Sequence, residues 1–341
     1  METWIEWHRR RYPAMEAVDE VKLLFQASLG CGHLLAEEDA VVRRIMDEEQ
    51  CLVPDSNEPL TEPLGRFFMR LNLRRAMAEG IRPEWIARMM RLSPAPASTR
   101  AEVAQDERLG TDARRLARRL VEDPDWLPGH SATYRAAYAP AYRVVGREYL
   151  TALPVLSALA RKWDRQRLLL CIDGPCGSGK TTLSRLLSPL LQAEVVPMDD
   201  FFLSHGRKTP ERLSQPGGNA DWERVQEEFL HPWQTSGCAS YRPYDCHTDS
   251  FLPPITVDNT RIVMLEGSYS LLPALGGKAD VRVFLTVEQQ EQRRRILERN
   301  GPEALQAFIT RWIPLEQAYF SAYSLPDASC LTLDTSSVQD V

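Results

Sequence analysis

The stretch that decides the fold reads LLLCIDGPCGSGKTTLSRLL and runs from residue 168 to residue 187. The apolar run at 168–172 predicts a buried strand, and leucines at helical spacing after Thr182 predict a helix. Between them lies the pattern G-x-x-x-x-G-K-[ST], from Gly174 to Thr181. The sequence therefore predicts a strand, a glycine-rich turn and a helix in direct succession.

Each residue type in this turn suits the binding of phosphate. Glycine lets the backbone adopt conformations closed to other residues and come close to a ligand. Successive N–H groups then point into one concavity, and the start of the helix adds positive partial charge. Lys180 can reach the β- and γ-phosphates, and the Thr181 hydroxyl can bind Mg²⁺. The residues expected to hold a nucleotide are Gly174, Pro175, Cys176, Gly177, Ser178, Gly179, Lys180, Thr181 and Thr182.

Length and composition set the class of protein. With 341 residues the chain is long for one core, and we predict two domains, at 1–165 and 166–341. The net charge of −6 argues against a large nucleic-acid-binding surface. No apolar run approaches the roughly eighteen residues of a membrane span, and the first residues lack a secretory signal pattern. We therefore expect neither a nucleic acid nor a membrane as partner.

The cysteines indicate the compartment. There are seven, an odd number, and they are scattered without a C-x-x-C pair. This pattern favours reduced thiols over a disulfide framework or a zinc site. We expect a cytoplasmic protein, and a homo-oligomer stays open.

The first 165 residues predict helices almost throughout and offer no catalytic constellation. Thr61 and the two residues after it make a good helix start, and this helix is predicted to continue to residue 77. His33 and His130 could each be a ligand or a base, but hydrogen-bonded structural histidines are favoured. Tyrosines recur at 134, 138 and 142, a spacing that favours one buried helix face over a stacking platform.

From residue 167 onward, strand patterns alternate with helical ones, which is typical of a parallel sheet with helices on both faces. The predicted strands are 168–172, 194–198, 262–265, 281–285 and a short one at 330–333. We therefore predict an α/β fold, the three-layer parallel sheet of P-loop NTPases, preceded by an all-α N-terminal domain.

Acidic residues follow two of these strands, at the sheet edge where ligands bind. Asp199 and Asp200 come directly after 194–198, where a carboxylate can accept a proton from an attacking hydroxyl. Adjacent side chains point in different directions, so one of the two is expected to do chemistry; the alternative is a helix cap. Glu266 follows 262–265, where a buried acid favours a metal. The expected Mg²⁺ ligands are Thr181, Glu266 and Asp199.

Two further features have a functional and a structural interpretation. Asp221 could bind sugar hydroxyls, and it could nearly as well cap the helix that begins at Trp222. The charged helix predicted at 289–300 contains Arg294 and Arg299. These arginines could close over the phosphates and neutralise charge that develops in phosphoryl transfer, or they could belong to a solvated helix face.

Residues 165–335 or so resemble the uridine kinase-like branch of the P-loop kinases. That branch includes uridine–cytidine, nicotinamide riboside, pantothenate and phosphoribulokinase enzymes. The matching elements occur in the family's order and end with the arginine-rich helix. They are GPCGSGKTT at 174–182, MDDFF at 198–202, NAD at 219–221, YRPYD at 241–245 and LEG at 265–267.

The resemblance implies roles for individual residues. The aspartate after the family's second strand, matched by Asp199 or Asp200, is the general base for the acceptor hydroxyl. The aspartate of its Asn-x-Asp motif, matched by Asp221, holds ribose hydroxyls. Tyr244 matches a tyrosine that lies against the nucleobase, and His247 matches a histidine that contacts it.

The remaining matches concern the phosphate side. Glu266 matches the family's Glu-Gly glutamate, and its lid arginines look similar to Arg294 and Arg299. The chain departs from the uridine kinase pattern between residues 202 and 221, and it carries Arg242 and Cys246 in the base-binding region. These departures put pyrimidine specificity in question.

Together these features predict a Mg²⁺- and ATP- or GTP-dependent kinase that phosphorylates a hydroxyl of a nucleoside or nucleoside-like acceptor. One alternative is a kinase of the same branch with another small-molecule acceptor, such as pantothenate, a sugar or nicotinamide riboside. Another is a nucleotide-sensing regulator whose helical half binds a partner. Acids at 199, 221 and 266 favour catalysis, because a sensor needs no acceptor-side acid.

Overall fold

A computed structural model describes residues 3–31, 37–94, 98–258 and 260–337. The chain divides into two compact units, Met1–Leu150 and Thr151–Val341. The helix Leu153–Ala160, which the sequence assigned to the first domain, belongs to the second unit because it packs against a strand of that unit's sheet. Among the described residues, no helix has the length and apolar character needed to cross a membrane.

Helices make up most of the first unit, as predicted. Their bounds are α1 (Trp4–Arg11), α2 (Ala17–Leu29), α3 (Glu38–Glu49), α4 (Leu73–Ala78), α5 (Pro83–Leu92), α6 (Arg100–Ala104), α7 (Thr111–Ala117), α8 (Arg119–Glu122) and α9 (Ala132–Tyr138). A 3₁₀ helix, Arg147–Thr151, includes the last four residues of the unit and the first residue of the next. His33 lies outside the described residues.

The expectation of an all-α first domain is corrected by a three-stranded antiparallel sheet. Its strands are β1 (Thr61–Leu64), β2 (Phe68–Asn72) and β3 (Tyr142–Gly146), with β2 in the middle. The predicted helix from Thr61 to residue 77 is therefore wrong in its first part. Gly65 takes a φ of 76°, which ends β1 in a turn, and the Asn72 side chain then caps α4.

The second unit contains a five-stranded parallel sheet, and all five predicted strands are confirmed. The order across the sheet is β12-β11-β4-β10-β5. The bounds are β4 (Leu168–Asp173), β5 (Glu194–Pro197), β10 (Ile262–Glu266), β11 (Val281–Thr286) and β12 (Leu331–Asp334). Because β5, β10 and β4 are parallel neighbours, the residues that follow each of them meet at one edge.

Helices flank this sheet. They are α10 (Leu153–Ala160), α11 (Lys180–Leu191), α12 (Pro210–Leu213), α13 (Trp222–Arg224), α14 (His231–Ser236), α15 (Pro273–Gly276), α16 (Gln289–Ala307) and α17 (Ile313–Ala322). The predicted charged helix is the first part of α16, which kinks at Gly301, where φ is 81°. A π-helical segment, Val225–Leu230, joins α13 to α14, and another, Phe308–Trp312, joins α16 to α17.

Residues 239–257 contain four short paired strands. These are β6 (Ala239–Tyr241), β7 (Tyr244–Asp245), β8 (Ser250–Phe251) and β9 (Ile255–Val257). β6 pairs with β9, and β7 pairs with β8, both antiparallel. The predicted P-loop α/β fold of the C-terminal half is thus confirmed by the parallel sheet and its flanking helices.

Candidate functional site

The phosphate loop lies between β4 and α11, where the motif predicts it. Gly174, Gly177 and Gly179 have φ values of 138°, 74° and 90°, which side chains rarely tolerate. A Cβ atom on Gly174 would also lie 2.4 Å from the backbone oxygen of Leu285. Glycine at 174 is therefore required both by backbone conformation and by the close approach of β11.

Lys180 is the first residue of α11 and bends back over the loop. Its side chain is nearly buried, and its Nζ donates hydrogen bonds to the carbonyl oxygens of Gly174 (2.7 Å) and Pro175 (3.0 Å). The ammonium group is thus held within the loop, beside the N-terminal end of a helix. Both features place positive charge where a nucleotide's phosphates would lie.

Thr181 and Glu266 form the second part of the site. The Thr181 hydroxyl donates to Glu266 Oε1 at 3.1 Å, across neighbouring elements α11 and β10. Burial raises the pKa of Glu266, and the Lys180 charge opposes that effect. A hydroxyl and a carboxylate in contact are a donor set that fits Mg²⁺, which typically takes few protein ligands and completes its shell with phosphate oxygens and water.

No cluster of three histidine, cysteine or acidic side chains suited to a metal occurs among the described residues. A divalent ion at Thr181 and Glu266 would therefore depend on the nucleotide for most of its ligands. This dependence fits magnesium bound together with a triphosphate rather than a resident metal centre.

Asp199 and Asp200 point to different surroundings, as expected of adjacent residues. Asp199 keeps an exposed surface, yet desolvation by its surroundings raises its pKa, and the positive charges of Lys180 and Arg299 oppose that rise. Asp200 Oδ2 instead accepts a hydrogen bond of 3.2 Å from the Tyr241 hydroxyl. Of the two carboxylates, Asp199 is the one influenced by the phosphate-loop lysine.

The two predicted lid arginines differ in the same way. Arg299 is close enough to Asp199 for its charge to lower the pKa of that carboxyl. Arg294 forms ion pairs of 2.6 Å with Glu291 and Glu298 on the exposed side of α16. The structure brings Arg299 toward the acids, while Arg294 lies in the solvated helix face that was the alternative interpretation.

Asp221 is almost fully buried and has partners within the protein. Both of its carboxylate oxygens accept hydrogen bonds of 2.6 Å from Arg207 Nη1, and Oδ1 also accepts the Arg224 N–H at the start of α13. The capping interpretation is therefore realised. A role in binding sugar hydroxyls stays a prediction.

The predicted base-pocket residues lie on the β7–β8 hairpin. The Tyr244 hydroxyl donates to Asp249, and its ring lies 5.5 Å from that of Phe251. His247 is exposed in the turn between the two strands. The strand β7 contacts the 3₁₀ segment Met198–Phe201, which contains Asp199, so the hairpin lies near the candidate base.

Sequence reasoning gave no role to Asp173, the last residue of β4. It has no exposed surface, and it accepts hydrogen bonds from the Gly174 N–H (2.7 Å), the Leu271 N–H (2.9 Å) and the Tyr319 hydroxyl (2.8 Å). Burial raises the pKa of Asp173 to about 6. The sequence does carry a signal for such a role, because a charged residue ends an apolar strand directly before the phosphate-binding motif.

Glu316 was also missed, because it lies far along the chain on α17. Its carboxylate accepts the backbone N–H of Cys176 at 2.9 Å and the Ser268 hydroxyl at 2.6 Å. Gln292 of α16 donates to the Cys176 carbonyl oxygen at 2.8 Å. These contacts tie both C-terminal helices to the phosphate loop, and no local pattern predicts them.

No protein-family model and no curated protein sequence matches this chain. Among solved structures, a "putative fructose transport system kinase" from Silicibacter sp. TM1040 is similar, with 26% identity and a TM-score of 0.45. That alignment covers 54% of this chain and 98% of the other. A "possible uridine kinase" from Bacillus stearothermophilus has 23% identity and a TM-score of 0.38, over 49% of this chain and 89% of the other.

A third similar structure, the YGR205w protein, has 15% identity and a TM-score of 0.39, over 54% of this chain and 93% of its own. One of these similar structures is thus described as a possible uridine kinase, and the motifs of this chain resemble that family. The C-terminal unit has the P-loop α/β fold, by its sheet order and its loop.

Proposed function

We propose that the C-terminal unit is a kinase that transfers the γ-phosphate of ATP or GTP to a hydroxyl of a small-molecule acceptor. The observation that carries this proposal is the meeting of Lys180, the Thr181–Glu266 pair and Asp199 at three neighbouring strand ends. A nucleotide sensor would need the loop alone. The extra carboxylate beside it supports catalysis.

On the phosphate side, the loop N–H groups and Lys180 would hold the triphosphate, and Thr181 and Glu266 would hold Mg²⁺. The bound ion would supply neutralisation of the β- and γ-phosphate oxygens. Arg299 is the cation near the acids that would face the transferred group. Positioning and charge stabilisation then supply most of the rate, as in other phosphoryl transfers.

On the acceptor side, Asp199 is proposed as the base. Its carboxylate would take the proton of the acceptor hydroxyl while the hydroxyl oxygen bonds to the γ-phosphorus. The bond from phosphorus to the bridging oxygen would break, and the nucleoside diphosphate would leave with that electron pair. A raised pKa brings a carboxylate closer to the operating pH, which improves it as a base.

A nucleoside or nucleoside-like alcohol is the leading acceptor class. The support is the resemblance at Asp221, Tyr244 and His247, together with the contact between β7 and the 3₁₀ segment that contains Asp199. Arg242, a departure from the uridine kinase pattern, donates to the carbonyl oxygens of Phe251 (2.8 Å) and Leu252 (3.0 Å). It braces the hairpin, so it gives no evidence for or against a pyrimidine.

We also place this activity in the cytoplasm. All seven cysteines are unpaired, as in proteins of a reducing compartment. The acceptor would accordingly be an intracellular metabolite.

The test compares two neighbouring carboxylates under the same change. Wild type, Asp199→Asn and Asp200→Asn are assayed with ATP and GTP over a panel of nucleosides, pantothenate and sugars. Asp199→Asn should lower kcat by about 10²–10⁴, the usual contribution of a general base, and leave nucleotide affinity nearly unchanged. Asp200→Asn, the matched control, should retain most activity.

Each outcome separates the candidates. Turnover of a non-nucleoside would select the alternative acceptor within the same proposal. Nucleotide binding without turnover of any panel member would favour the sensing regulator. Full activity of both variants would refute the assignment of Asp199 as the base, and absence of both nucleotide binding and turnover in the wild type would refute the kinase proposal.

A further inference from the structure

The first unit contains a polar cluster that phosphoryl transfer does not use. We call it the Tyr142 cluster: Asp19, Gln26, Arg70, His130 and Tyr142. His130 Nδ1 lies 2.8 Å from Asp19 Oδ1, and His130 Nε2 lies 2.7 Å from the Tyr142 hydroxyl. That hydroxyl lies 3.1 Å from Gln26 Oε1, and Gln26 Oε1 accepts a hydrogen bond of 3.2 Å from Arg70. Four chain segments thus contribute to one continuous network.

His130 is a hydrogen-bonded histidine, as the sequence favours, and it is held in one orientation. Its ring stacks on that of Tyr134 at 4.2 Å between centroids. Burial lowers the pKa of His130 to about 4, so the ring is neutral near pH 7. With Asp19 accepting the Nδ1 proton, Nε2 faces Tyr142 as an acceptor.

Arg70 is the buried cation of the cluster, and burial of a charge costs free energy. Its side chain is 3% exposed, its guanidinium lies 4.3 Å from the centre of the Tyr142 ring, and Glu62 is 3.9 Å away. Within the described residues its Nε has no hydrogen-bond partner. Replacing such a buried ionic network by apolar residues is often neutral or stabilising, so the network is weak evidence of a contribution to stability.

A cavity of about 280 Å³ opens beside this cluster. Among the residues that line it are Lys22, Gln26, Arg44, His130, Tyr142 and Arg143. Its size is near the lower end for small-molecule sites, and its polar groups converge from separate elements, as such sites require. The cavity lies wholly within the first unit.

The charge of the lining defines the ligand. Glu48 is the carboxylate in the lining, and it pairs with Arg143 at 2.6 Å. Among the described residues, the hydrogen bond of Lys22 goes to the carbonyl oxygen of Pro128, at 3.2 Å. Arg44 has no partner among the described residues. Two cations of the described lining, the partly buried Lys22 and the exposed Arg44, therefore remain without a paired carboxylate, and a partly desolvated cation such as Lys22 favours an anion.

We propose that this cavity binds a small organic anion, through a carboxylate or phosphate group held by Lys22 and Arg44, with Tyr142 and His130 orienting the rest of the molecule. The site would be a second ligand site in the chain. It does not depend on the kinase proposal, because none of its residues belongs to the phosphate loop or its neighbours.

The first test locates an oxyanion directly. Crystals of the full chain are soaked with tungstate, whose anomalous signal marks its position. The proposal expects a tungstate ion within hydrogen-bond distance of Lys22 or Arg44. Tungstate found at the phosphate loop but absent from this cavity would overturn it.

The second test is a titration with inorganic phosphate, made in a Lys180→Ala background so that the phosphate loop contributes equally throughout. Arg44→Gln and Lys22→Gln should each weaken binding about tenfold, the size of a lost charge-assisted hydrogen bond. Arg115→Gln makes the same charge change on the exposed face of α7 and should alter binding less than about twofold.

Arg44 is exposed, so its substitution keeps the test valid even if Lys22→Gln does not fold. If Arg44→Gln binds phosphate as Arg115→Gln does, the cavity does not hold the anion and the proposal fails. That result would leave the kinase proposal untouched.

Discussion

Asp173 shows how a single buried carboxylate can organise the phosphate loop. Its three hydrogen bonds join the first loop residue, the segment after β10 and Tyr319 of α17. The side chain touches no bulk water, so burial disfavours its charged form, although the Lys180 charge opposes this. It is a positioning residue whose protonation is coupled to folding.

This coupling predicts a pH dependence of stability. The pKa of Asp173 is about 6 in the folded protein and near 3.8 in the unfolded chain, so the folded state binds its proton more tightly. The contribution of this group is therefore largest below pH 4 and decreases as pH rises toward 6, by on the order of 3 kcal/mol. Urea unfolding of wild type and Asp173→Asn at pH 4.5 and 7 measures it. The wild type should lose stability relative to the variant between these two pH values; a constant difference would contradict the assignment.

Glu316 predicts an effect on nucleotide affinity. Its carboxylate accepts a hydrogen bond from the Cys176 N–H. This carboxylate also adds negative charge beside a site for polyphosphate. Glu316→Gln should tighten binding of a non-hydrolysable triphosphate several-fold, because one repulsive charge is removed. Calorimetric titration checks this, with Glu298→Gln on the exposed face of α16 as control. Weaker binding by Glu316→Gln would mean that its hydrogen bonds to the loop outweigh the repulsion.

Among the elements of the second unit, the phosphate loop contains glycines that are needed for different reasons. Gly174 has a positive φ and faces the Leu285 carbonyl oxygen of β11, whereas Gly179 has a positive φ but open space around it. The two positions therefore differ in steric cost while sharing conformational strain. Comparing the two positions therefore separates the effect of packing against β11 from the effect of the loop's backbone conformation.

The corresponding prediction compares two alanine variants. Gly179→Ala should cost about 1–2 kcal/mol of unfolding free energy from the left-handed backbone alone. Gly174→Ala should cost clearly more, because β4 and β11 would have to separate. Thermal unfolding of both variants tests this. Equal losses of stability would show that β11 moves away from position 174 without a further loss of unfolding free energy.

The sequence predicts elements well where their signals are local. Strands β4, β10 and β11 are short apolar runs, fully or largely buried in the sheet, and such runs are recognisable without knowledge of their neighbours. β1 was predicted as helix because Thr61, Glu62 and Pro63 are equally suited to a helix start. Its strand conformation depends on pairing with β2, which in turn pairs with the distant β3.

For the whole molecule, the sequence predicts the phosphate-binding motif and the acids that follow the strands. It does not predict which distant residues join them. The phosphate loop, Asp199 and Glu266 follow strands that the sequence reveals, so their convergence follows from a parallel sheet. Glu316 and Arg299 reach the site through the path of α16 and α17, which no local pattern specifies. The Tyr142 cluster depends in the same way on distant residues, because His130 contacts both Asp19 and Tyr142.

The measurement that tests the central claim most directly is calorimetric titration of the full chain with Mg²⁺ and non-hydrolysable ATP or GTP. We expect saturable binding of one nucleotide per chain, and Lys180→Ala should weaken binding of the triphosphate at least about tenfold. The corresponding monophosphate should be affected less, because Lys180 is expected to contact the β- and γ-phosphates. Absence of saturable binding to the wild type, or equal triphosphate affinity in the variant, would contradict it.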